Sequence, residues 1–303
     1  MLALNNGHSI PPIGLGTYKI TGSDGVAAIK SAVEFGYRLI DTAFVYNNEQ
    51  VVGQALREIF SQGNDINRED VFIVSKLGPT FHRPEAVEKG CRLSLERLGL
   101  DYVDLYLMHT PVAARDSGDG NDRSEIDDEV TPLETWKALE ECQRKGLVRS
   151  IGVSNFNEEQ LMEIVTHGSI RPVVNQVECS IGFHQVKLRK FCNREGILIM
   201  AYSPLGKPKP GKKHVFLDSS DLNKMAEKYG RSPAQISLRF LIEIGTIPIP
   251  KSSKTDRMKE NLDVLSFKLE ETDVQALESF VKQQRSMTLD WLKSSKHYPF
   301  NDQ

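Results

Sequence analysis

Residues 71–109, VFIVSKLGPTFHRPEAVEKGCRLSLERLGLDYVDLYLMH, decide the fold. An apolar run over residues 71–76 leads into a helical pattern that begins at Pro84, and a second strand-like run covers residues 103–109. A strand followed by a helix and another strand is typical of parallel pairing, because the helix carries the chain back across the sheet. This stretch therefore predicts one unit of an α/β fold.

The same order of strand and helix recurs along the chain in eight units. Their helices are predicted to begin near Asp24, Asn48, Pro84, Pro132, Glu158, Gln185, Ser219 and Asp256. Eight units in about 260 residues have the size of a closed (β/α)8 barrel, the TIM barrel, and such barrels reach this length as one domain. We therefore expect an α/β protein with a single domain over residues 1–303.

A short β-hairpin is predicted before the first unit, within residues 1–10. Its segment LALNNGHSI places Asn6 and Gly7 at a tight turn, where both are expected to adopt positive φ angles.

The main alternative to a barrel is an open doubly wound sheet. Such a sheet would be expected to carry a phosphate-binding glycine turn after its first strand. The segment GLGTYK, residues 14–19, has only the first two glycines of that motif, and no helix is expected to start there. The sequence therefore favours the barrel.

Composition and charge limit the function. The chain has 303 residues, 39% of them apolar, and a formal net charge of −3, so nucleic acid is not expected as a partner. No apolar run reaches the length of a membrane span, and the first residues lack a signal-peptide pattern, so we expect a cytoplasmic monomer away from membranes. The four cysteines are widely spaced without a CxxC pair, which indicates buried side chains rather than a metal site.

Ionisable side chains end three neighbouring predicted strands. Because side chains alternate along a strand, Asp41, Lys76 and His109 are expected to share the inward face with the apolar residues before them. The carboxyl ends of barrel strands meet at one mouth, which brings the three together below Tyr46. A nearby ammonium lowers a tyrosine pKa, so we expect Tyr46 to be a proton donor tuned by Lys76. Asp41 would keep Lys76 charged, and His109 would hold the substrate oxygen by a hydrogen bond.

Four motifs resemble those of the aldo-keto reductase superfamily, in the same order along the chain. GYRLIDTAFVYNNEQVVG brings Asp41 and Tyr46, VSKL brings Lys76, LYLMH brings His109, and IPKSSKTDRMKEN is similar to the family's cofactor segment. The resemblance covers residues 10–300 and implies hydride transfer from NADPH that reduces an aldehyde or ketone to an alcohol, or the reverse oxidation. It also implies that Tyr46 is the general acid, assisted by the other three residues, without metal or flavin.

The resemblance further implies where the cofactor binds. Ser154, Asn155 and Gln176 would hold the nicotinamide carboxamide, Tyr202 would stack on its ring, and Lys19, Ser203 and Leu205 would lie along the pyrophosphate. The residues themselves leave alternatives open, because Tyr202 also fits a buried structural tyrosine, and Asn155 or Asn157 fits a helix cap. The loop GKPKPGKK, residues 206–213, resembles the family's cofactor-covering loop and equally fits a solvated connection.

The segment after the eighth predicted strand favours a phosphate group. Lys251, Ser252 and Arg257 lie at or near a helix start, where unpaired backbone N–H groups and the helix dipole attract an anion. Glu260 and Asn261 follow on the same helix, and this face fits phosphate and adenosine, which favours NADPH over NADH. The alternative, a surface ion pair between Arg257 and Glu260, would leave Lys251 and Ser252 unexplained.

Tyr18, Thr110 and Trp291 are expected to contact the substrate. Many family members carry tryptophan at the first two positions, so Thr110 is expected to widen the pocket and make it more polar. The tail, residues 285–303, contains Trp291 among several large apolar residues and is therefore expected to pack on the protein. It would either cover the barrel mouth as a substrate loop, opposite the polar loop 112–130, or strap the barrel wall.

Two other classes of function stay open. Some proteins of this fold are channel subunits or lens proteins that bind the cofactor with little turnover, although the full set of four catalytic residue types argues against that role here. A metal-dependent barrel hydrolase is disfavoured because no strand ends in a His-x-His pair. The sequence does not select among sugars, lipid aldehydes, prostaglandins and ketosteroids, such as a dehydroecdysteroid, as the substrate.

Overall fold

An eight-stranded parallel sheet forms the centre of the molecule. The computed structural model describes residues 1–61, 66–115, 125–206, 216–280 and 285–301. The strands of the sheet, hydrogen-bonded in chain order, are β3 (Leu15–Gly16), β4 (Leu39–Asp41), β5 (Phe72–Leu77), β6 (Val103–Met108), β7 (Val148–Ser154), β8 (Val174–Glu178), β9 (Leu198–Tyr202) and β10 (Thr246–Pro248). The predicted α/β class is therefore confirmed.

The predicted hairpin precedes the sheet. Strands β1 (Leu2–Ala3) and β2 (Ser9–Ile10) pair in antiparallel fashion. Gly7 has a φ of 88°, but Asn6 is not in the left-handed region, so the expectation of two positive φ angles is wrong for Asn6. The reason is local, because the Asn6 side chain accepts a hydrogen bond from the backbone N–H of His8 at 3.3 Å, an Asx turn that does not need a positive φ.

The sheet curls until its first and last strands meet. The Gly14 N–H donates to the Pro248 carbonyl at 3.0 Å, and Gly16 pairs in parallel with Lys251. Gly16 permits this approach because a Cβ atom there would lie 2.9 Å from the Ile249 carbonyl oxygen. The result is a barrel-like sheet whose strands all point their carboxyl ends at one mouth.

Helices surround the sheet. Within the described residues they are α1 (Gly22–Phe35), α2 (Glu49–Ser61), α3 (Pro84–Leu98), α4 (Pro132–Arg144), α5 (Glu158–His167), α6 (Val186–Arg194), α7 (Ser220–Tyr229), α8 (Pro233–Glu243), α9 (Thr255–Leu262) and α10 (Glu271–Glu278). Each of the eight predicted helix starts lies within two residues of an observed start. Helix α8 has no counterpart in the prediction, although Ser232 and Gln235 form a capping box around Pro233, a sequence signal for a helix start.

Two apolar layers position the polar strand ends. Inside the sheet, buried side chains from alternate positions form one cluster: Leu39, Phe72, Val74, Leu105, Leu107, Val174, Met200, Ile247 and Ile249. A larger cluster between the sheet and its helices includes the fully buried Trp136 and Tyr106. Each fully buried aliphatic or aromatic side chain contributes about 1.5–3 kcal/mol by leaving water. The apolar filling therefore stops just below Asp41, Lys76 and His109, as the alternation of each strand predicts.

None of the helices within the described residues is long and apolar enough to cross a membrane.

Candidate active site

A buried ion pair lies at the mouth of the sheet. Lys76 Nζ is 2.7 Å from Asp41 Oδ1, and the two side chains are 0% and 2% exposed. The same ammonium donates to the Thr42 carbonyl at 2.8 Å, while Asp41 Oδ2 accepts a hydrogen bond from Gln176 Nε2 at 2.7 Å. Burial lowers the pKa of Lys76 and Asp41 raises it again, so each charge depends on the other. The pair places an ammonium group where an apolar core would otherwise continue.

Tyr46 lies directly above this pair. It ends a 3-10 turn, Phe44–Tyr46, and its hydroxyl accepts a hydrogen bond from Lys76 Nζ at 3.3 Å. The turn is fixed from beneath by Asn48, whose buried side chain donates to the Thr17 carbonyl at 2.8 Å and accepts from Thr42 Oγ1 at 3.0 Å. The phenol is therefore held over the ammonium by a polar network and not by loop packing alone.

The pKa of Tyr46 departs from the sequence expectation. Burial raises it well above the usual value for tyrosine, and the Asp41 carboxylate and Tyr18 raise it further. The expected lowering of the pKa is wrong for this state because burial of the phenol dominates, and because the Asp41 carboxylate lies 2.7 Å from the ammonium that would lower it. Tyr46 is thus a protonated phenol at neutral pH, which is the form that a proton donor requires.

His109 completes the wall beside Tyr46. It follows β6, is half-buried, and its ring lies 5.7 Å from the Tyr46 ring in an edge-on arrangement. Its backbone carbonyl accepts a hydrogen bond from Asn155 Nδ2 at 3.0 Å. Thr110 is 4% exposed and its hydroxyl donates to the Val112 carbonyl at 2.8 Å, so this hydroxyl is engaged within its own turn.

Ser154, Asn155, Gln176 and Tyr202 form one hydrogen-bonded group beside the ion pair. Ser154 Oγ donates to the Gln176 carbonyl at 2.8 Å, Asn155 Nδ2 to Ser154 Oγ at 3.1 Å, and the Tyr202 hydroxyl to Asn155 Oδ1 at 2.8 Å. Asn157 caps α5 by accepting from the Gln160 N–H at 2.9 Å, so of the two cap candidates the structure uses Asn157. Asn155 instead adopts a φ of 63° and joins Tyr202 to the His109 backbone.

Lys19 and Ser203 share an unusual backbone conformation at the mouth. Their φ angles are 62° and 49°, in the left-handed region that residues other than glycine seldom adopt, and such positions concentrate at functional sites. Lys19 is exposed, with Nζ 5.4 Å from the Tyr18 ring. Leu205 packs against a separate apolar cluster that includes Ile13. Of the predicted cofactor-covering loop 206–213, all but Gly206 lie outside the described residues.

The segment after β10 presents an open cationic helix start. Helix α9 begins at Thr255, with Arg257 in its first turn and Lys251 exposed just before it. Ser252 is buried, and its hydroxyl accepts a hydrogen bond from the Lys254 N–H at 3.1 Å. Asn261 is also buried, at 5% exposure.

The alternative ion pair between Arg257 and Glu260 is absent from the ion pairs of the described residues. Glu260 instead accepts a hydrogen bond from the hydroxyl of Ser232, on the neighbouring turn before α8. The guanidinium is therefore left exposed beside the helix start.

Comparison with known proteins identifies the family of this chain. Residues 12–282 match the model of the Aldo/keto reductase family. The chain belongs to that family. It is 40% identical to the rho crystallin of Rana temporaria over 100% of this chain and 97% of that protein. It is 39% identical to the prostaglandin-E(2) 9-reductase of Oryctolagus cuniculus over 100% of this chain and 98% of that protein. Its fold also matches that of the Bombyx mori aldo-keto reductase in complex with NADP, with a TM-score of 0.90, 38% identity and 98% of each chain covered.

The C-terminal tail of this aldo/keto reductase lies on the mouth side. Glu178, the last residue of β8, accepts hydrogen bonds from the Ser286 N–H at 3.0 Å and the Met287 N–H at 2.9 Å. Further along, the tail packs Leu292, Tyr298 and Phe300 against Val112 and Ile126 of the loop after β6. Trp291 is 39% exposed. Residues 116–124 of the predicted loop 112–130 lie outside the described residues.

Several residues that build this aldo/keto reductase site were not singled out from the sequence. Asn48, Glu49 and Glu178 are buried polar side chains that fix the Tyr46 turn, the strand of Lys76 and the tail. Asn48 and Glu49 had a local signal, since both follow Tyr46 at the start of α2. Glu178 ends its strand on a carboxylate, the same signal that marked Asp41.

The described residues contain no group of three histidine, cysteine or acidic side chains arranged to hold a metal ion.

Proposed function

We propose that this chain is an oxidoreductase that reduces aldehydes or ketones to alcohols with NADPH. The observation that carries the proposal is the buried Asp41–Lys76 pair that presents an ammonium 3.3 Å from the Tyr46 hydroxyl, with His109 beside the same phenol. Membership of the aldo/keto reductase family supports it, as does the reductase named among its relatives.

The residues present fit a phosphorylated nicotinamide cofactor. The start of α9 carries backbone donors, the exposed Arg257 and the nearby Lys251, which together suit the 2′-phosphate that distinguishes NADPH. We infer that Glu260 and Asn261 bind the adenosine beside it. A structural neighbour of 38% identity holds NADP, which supports this choice of cofactor.

Near the mouth, Ser154, Asn155 and Gln176 would hold the nicotinamide carboxamide, and Tyr202 would stack on its ring. Lys19, Ser203 and Leu205 would lie along the pyrophosphate. When bound, this cofactor supplies the hydride.

The protein's own residues move the proton. We assign Tyr46 as the general acid that donates its hydroxyl proton to the carbonyl oxygen, and His109 as the donor that orients that oxygen. As the proton leaves, the phenolate that forms is stabilised by the Lys76 ammonium at 3.3 Å, which Asp41 holds in place. In the reverse direction the same phenolate would accept the proton of an alcohol. Tyr18, Thr110 and Trp291 would contact the substrate.

A second role has a specific observation in its favour. A relative that is 40% identical over the whole chain is a rho crystallin, a lens protein by name, so a cofactor-binding protein with little turnover is the alternative. Turnover separates the two roles directly.

The test measures the disappearance of NADPH absorbance with a broad panel of aldehydes and ketones, for the wild-type protein and for Tyr46→Phe. Loss of the general acid is expected to lower turnover by about 10² to 10⁴, with NADPH binding unchanged. Tyr102→Phe is the matched control, because the buried Tyr102 hydroxyl at the amino end of β6 has no hydrogen-bond partner among the described residues. Turnover of Tyr46→Phe at the wild-type rate would assign the proton to another residue, and cofactor binding without wild-type turnover would favour the structural role.

A further inference from the structure

Glu49 is a buried carboxylate behind the strand that carries Lys76. It is the first residue of α2, is 0% exposed, and accepts a hydrogen bond from Ser75 Oγ at 2.6 Å. Ser75 directly precedes Lys76, and side chains alternate along a strand, so Ser75 points outward to the helices while Lys76 points into the mouth. Glu49 is therefore hydrogen-bonded to β5 at Ser75, the residue before Lys76, whose ammonium contacts Tyr46.

The only ion pair that Glu49 makes with the described residues is a long one. Its second oxygen, Oε2, lies 3.8 Å from Arg97 Nη1 on α3, beyond hydrogen-bond length, and the Ser94 hydroxyl also contacts the carboxylate. The Arg97 guanidinium is stacked instead on the ring of Phe44, 4.0 Å away, at the start of the Tyr46 turn. A fully buried carboxyl group, with its nearest described guanidinium 3.8 Å away, thus lies between the Tyr46 turn and the Lys76 strand.

The backbone is shaped to bring Glu49 to this place. Gly53, one helical turn further along α2, lies so close to α3 that a Cβ atom there would be 2.5 Å from the Leu98 carbonyl oxygen. Without a side chain at Gly53, α2 approaches α3 closely enough for Glu49 to reach Ser75, Ser94 and Arg97.

We propose that Glu49 is a positioning residue for the reduction proposed above: its carboxylate fixes the strand segment that bears Lys76 and supplies negative charge that keeps Lys76 protonated. The inference rests on the proposed function for its kinetic consequence. Its electrostatic consequence rests on the bond from Ser75 to Glu49 and on the charge of Glu49 behind Lys76.

The charges around Lys76 determine the direction in which its pKa is expected to change. Burial lowers the pKa of Lys76, whereas Asp41 on β4 and Glu49 on α2 raise it. The Tyr46 hydroxyl also accepts a hydrogen bond from this ammonium. When the Glu49 charge is removed, Asp41 is the main negative charge that still favours protonated Lys76. We therefore expect Lys76 to lose its proton at a lower pH.

Titratable groups on three neighbouring elements face Glu49. They are Arg97 on α3, Lys76 on β5 and Tyr106 on β6. Burial raises the pKa of Glu49, while Ser75, Ser94, Arg97 and Lys76 lower it. Burial is the largest of these effects, so the pKa of Glu49 lies above its usual value, and its charge is present only above that pKa.

The experiment compares three variants by single-turnover reduction as a function of pH. Glu49→Gln keeps an oxygen for Ser75 but removes the charge, and is expected to move the alkaline loss of activity to lower pH by about half to one unit. Ser75→Ala removes the hydrogen bond but keeps the charge, so it is expected to change the rate without moving that limb. Glu58→Gln is the matched control, because Glu58 lies on the same helix in an exposed pair with Lys30.

A second readout separates this inference from the proposed function. The titration of Lys76 can be followed by the NMR signal of its ¹³C-labelled Cε, assigned with Lys76→Arg, and needs no turnover. The Lys76 pKa is expected to fall in Glu49→Gln and to stay in Glu58→Gln. Should Glu49→Gln not fold, Glu49→Met removes the charge with a side chain of similar length, and the Lys76 pKa is again expected to fall.

Unchanged Lys76 titration in the charge-removing variant overturns the inference, even if the wild-type enzyme is active. A wild-type protein without turnover overturns the proposed function, but a shifted Lys76 titration would still support the electrostatic role of Glu49.

Discussion

Replacement of Arg257 by alanine tests the phosphate site most directly. Arg257 lies in the first turn of α9, is exposed, and has no ion pair among the described residues. Glu260, its expected surface partner, is engaged by Ser232. The guanidinium therefore has no ion pair to lose among the described residues, so we expect a loss of affinity in Arg257→Ala to report contact with the ligand.

The expected loss of NADPH affinity in Arg257→Ala depends on how exposed the guanidinium is. A charge-assisted hydrogen bond contributes about 1.5–3 kcal/mol, and solvent around an exposed guanidinium favours the lower end. This corresponds to a rise of about 10-fold to 100-fold in the dissociation constant of NADPH. The start of α9 remains in the variant and keeps its own attraction for the phosphate, about 0.3–1 kcal/mol. NADH lacks the 2′-phosphate, so its dissociation constant is expected to change by less than about twofold.

The assay titrates NADPH and NADH separately against the protein and follows quenching of intrinsic fluorescence at fixed ionic strength. Lys259→Ala is the matched control, because Lys259 is an exposed cation on the same helix whose Nζ lies 4.6 Å from the ring of Phe35 on α1. Both variants lose one positive charge, but only Arg257→Ala is expected to lose the preference for NADPH. High salt should narrow the difference between the cofactors in the wild-type protein, since screening weakens an exposed charge pair.

Two results would contradict this reasoning. Equal losses of affinity for NADPH and NADH in Arg257→Ala would place the 2′-phosphate elsewhere and leave Arg257 a general support for the segment. An equal loss of NADPH affinity in Lys259→Ala would show that net charge, rather than a specific contact, sets the preference.

The remaining predictions concern the ammonium and the tail. Lys76→Met is expected to lower turnover about as far as loss of the general acid does, roughly 10² to 10⁴, and to destabilise the fold by about 3–5 kcal/mol at neutral pH because it leaves Asp41 buried and unpaired. Burial raises the pKa of Asp41 in the folded protein above its unfolded value. The loss of stability should therefore shrink as the pH falls and the carboxyl group takes up its proton. Denaturant unfolding between pH 4 and 8 measures this loss, and a loss that does not change with pH would refute the account. Trp291→Ala, or deletion of residues 286–303, is expected to raise KM for bulky hydrophobic carbonyls more than for a small activated aldehyde, with NADPH binding kept. A uniform loss across substrates together with a lower Tm would identify the tail as a structural strap.

The strand ends were predictable because their signal is local. The period of two along β4, β5 and β6 decides which face each side chain takes, and the parallel order decides that the carboxyl ends meet. Lys76 accordingly lies within hydrogen-bonding distance of both Asp41 and Tyr46 in the structure. The signals for helix starts are also local, since Pro84 and Pro132 occupy the first position of their helices.

Contacts between distant parts of the chain could not be predicted in the same way. Gln176 reaches Asp41 across 135 positions, and Glu178 receives the Ser286 N–H across 108. Neither pair has a spacing or a period that a single sequence displays, so the resemblance placed Gln176 on the cofactor without revealing its bond to the carboxylate. Both contacts depend on how strands and tail come together after the sheet has curled.

The pKa of Tyr46 could not be predicted because it depends on the balance of several burial and charge effects. The sequence supplied the ammonium and the carboxylate, but not the 2.7 Å distance that makes them a nearly neutral pair in the free protein. In the proposed reaction, a phenol beside such a pair would keep its proton until the substrate takes it, and only then would the site hold a phenolate next to Lys76. The ammonium therefore contributes little to the ground state and most to the state in which the proton has left. Interactions that strengthen on the way to the transition state are those that accelerate a reaction. A high ground-state pKa of Tyr46 is thus consistent with its proposed role as the acid, and in that proposal Asp41 would hold Lys76 in position to stabilise the phenolate.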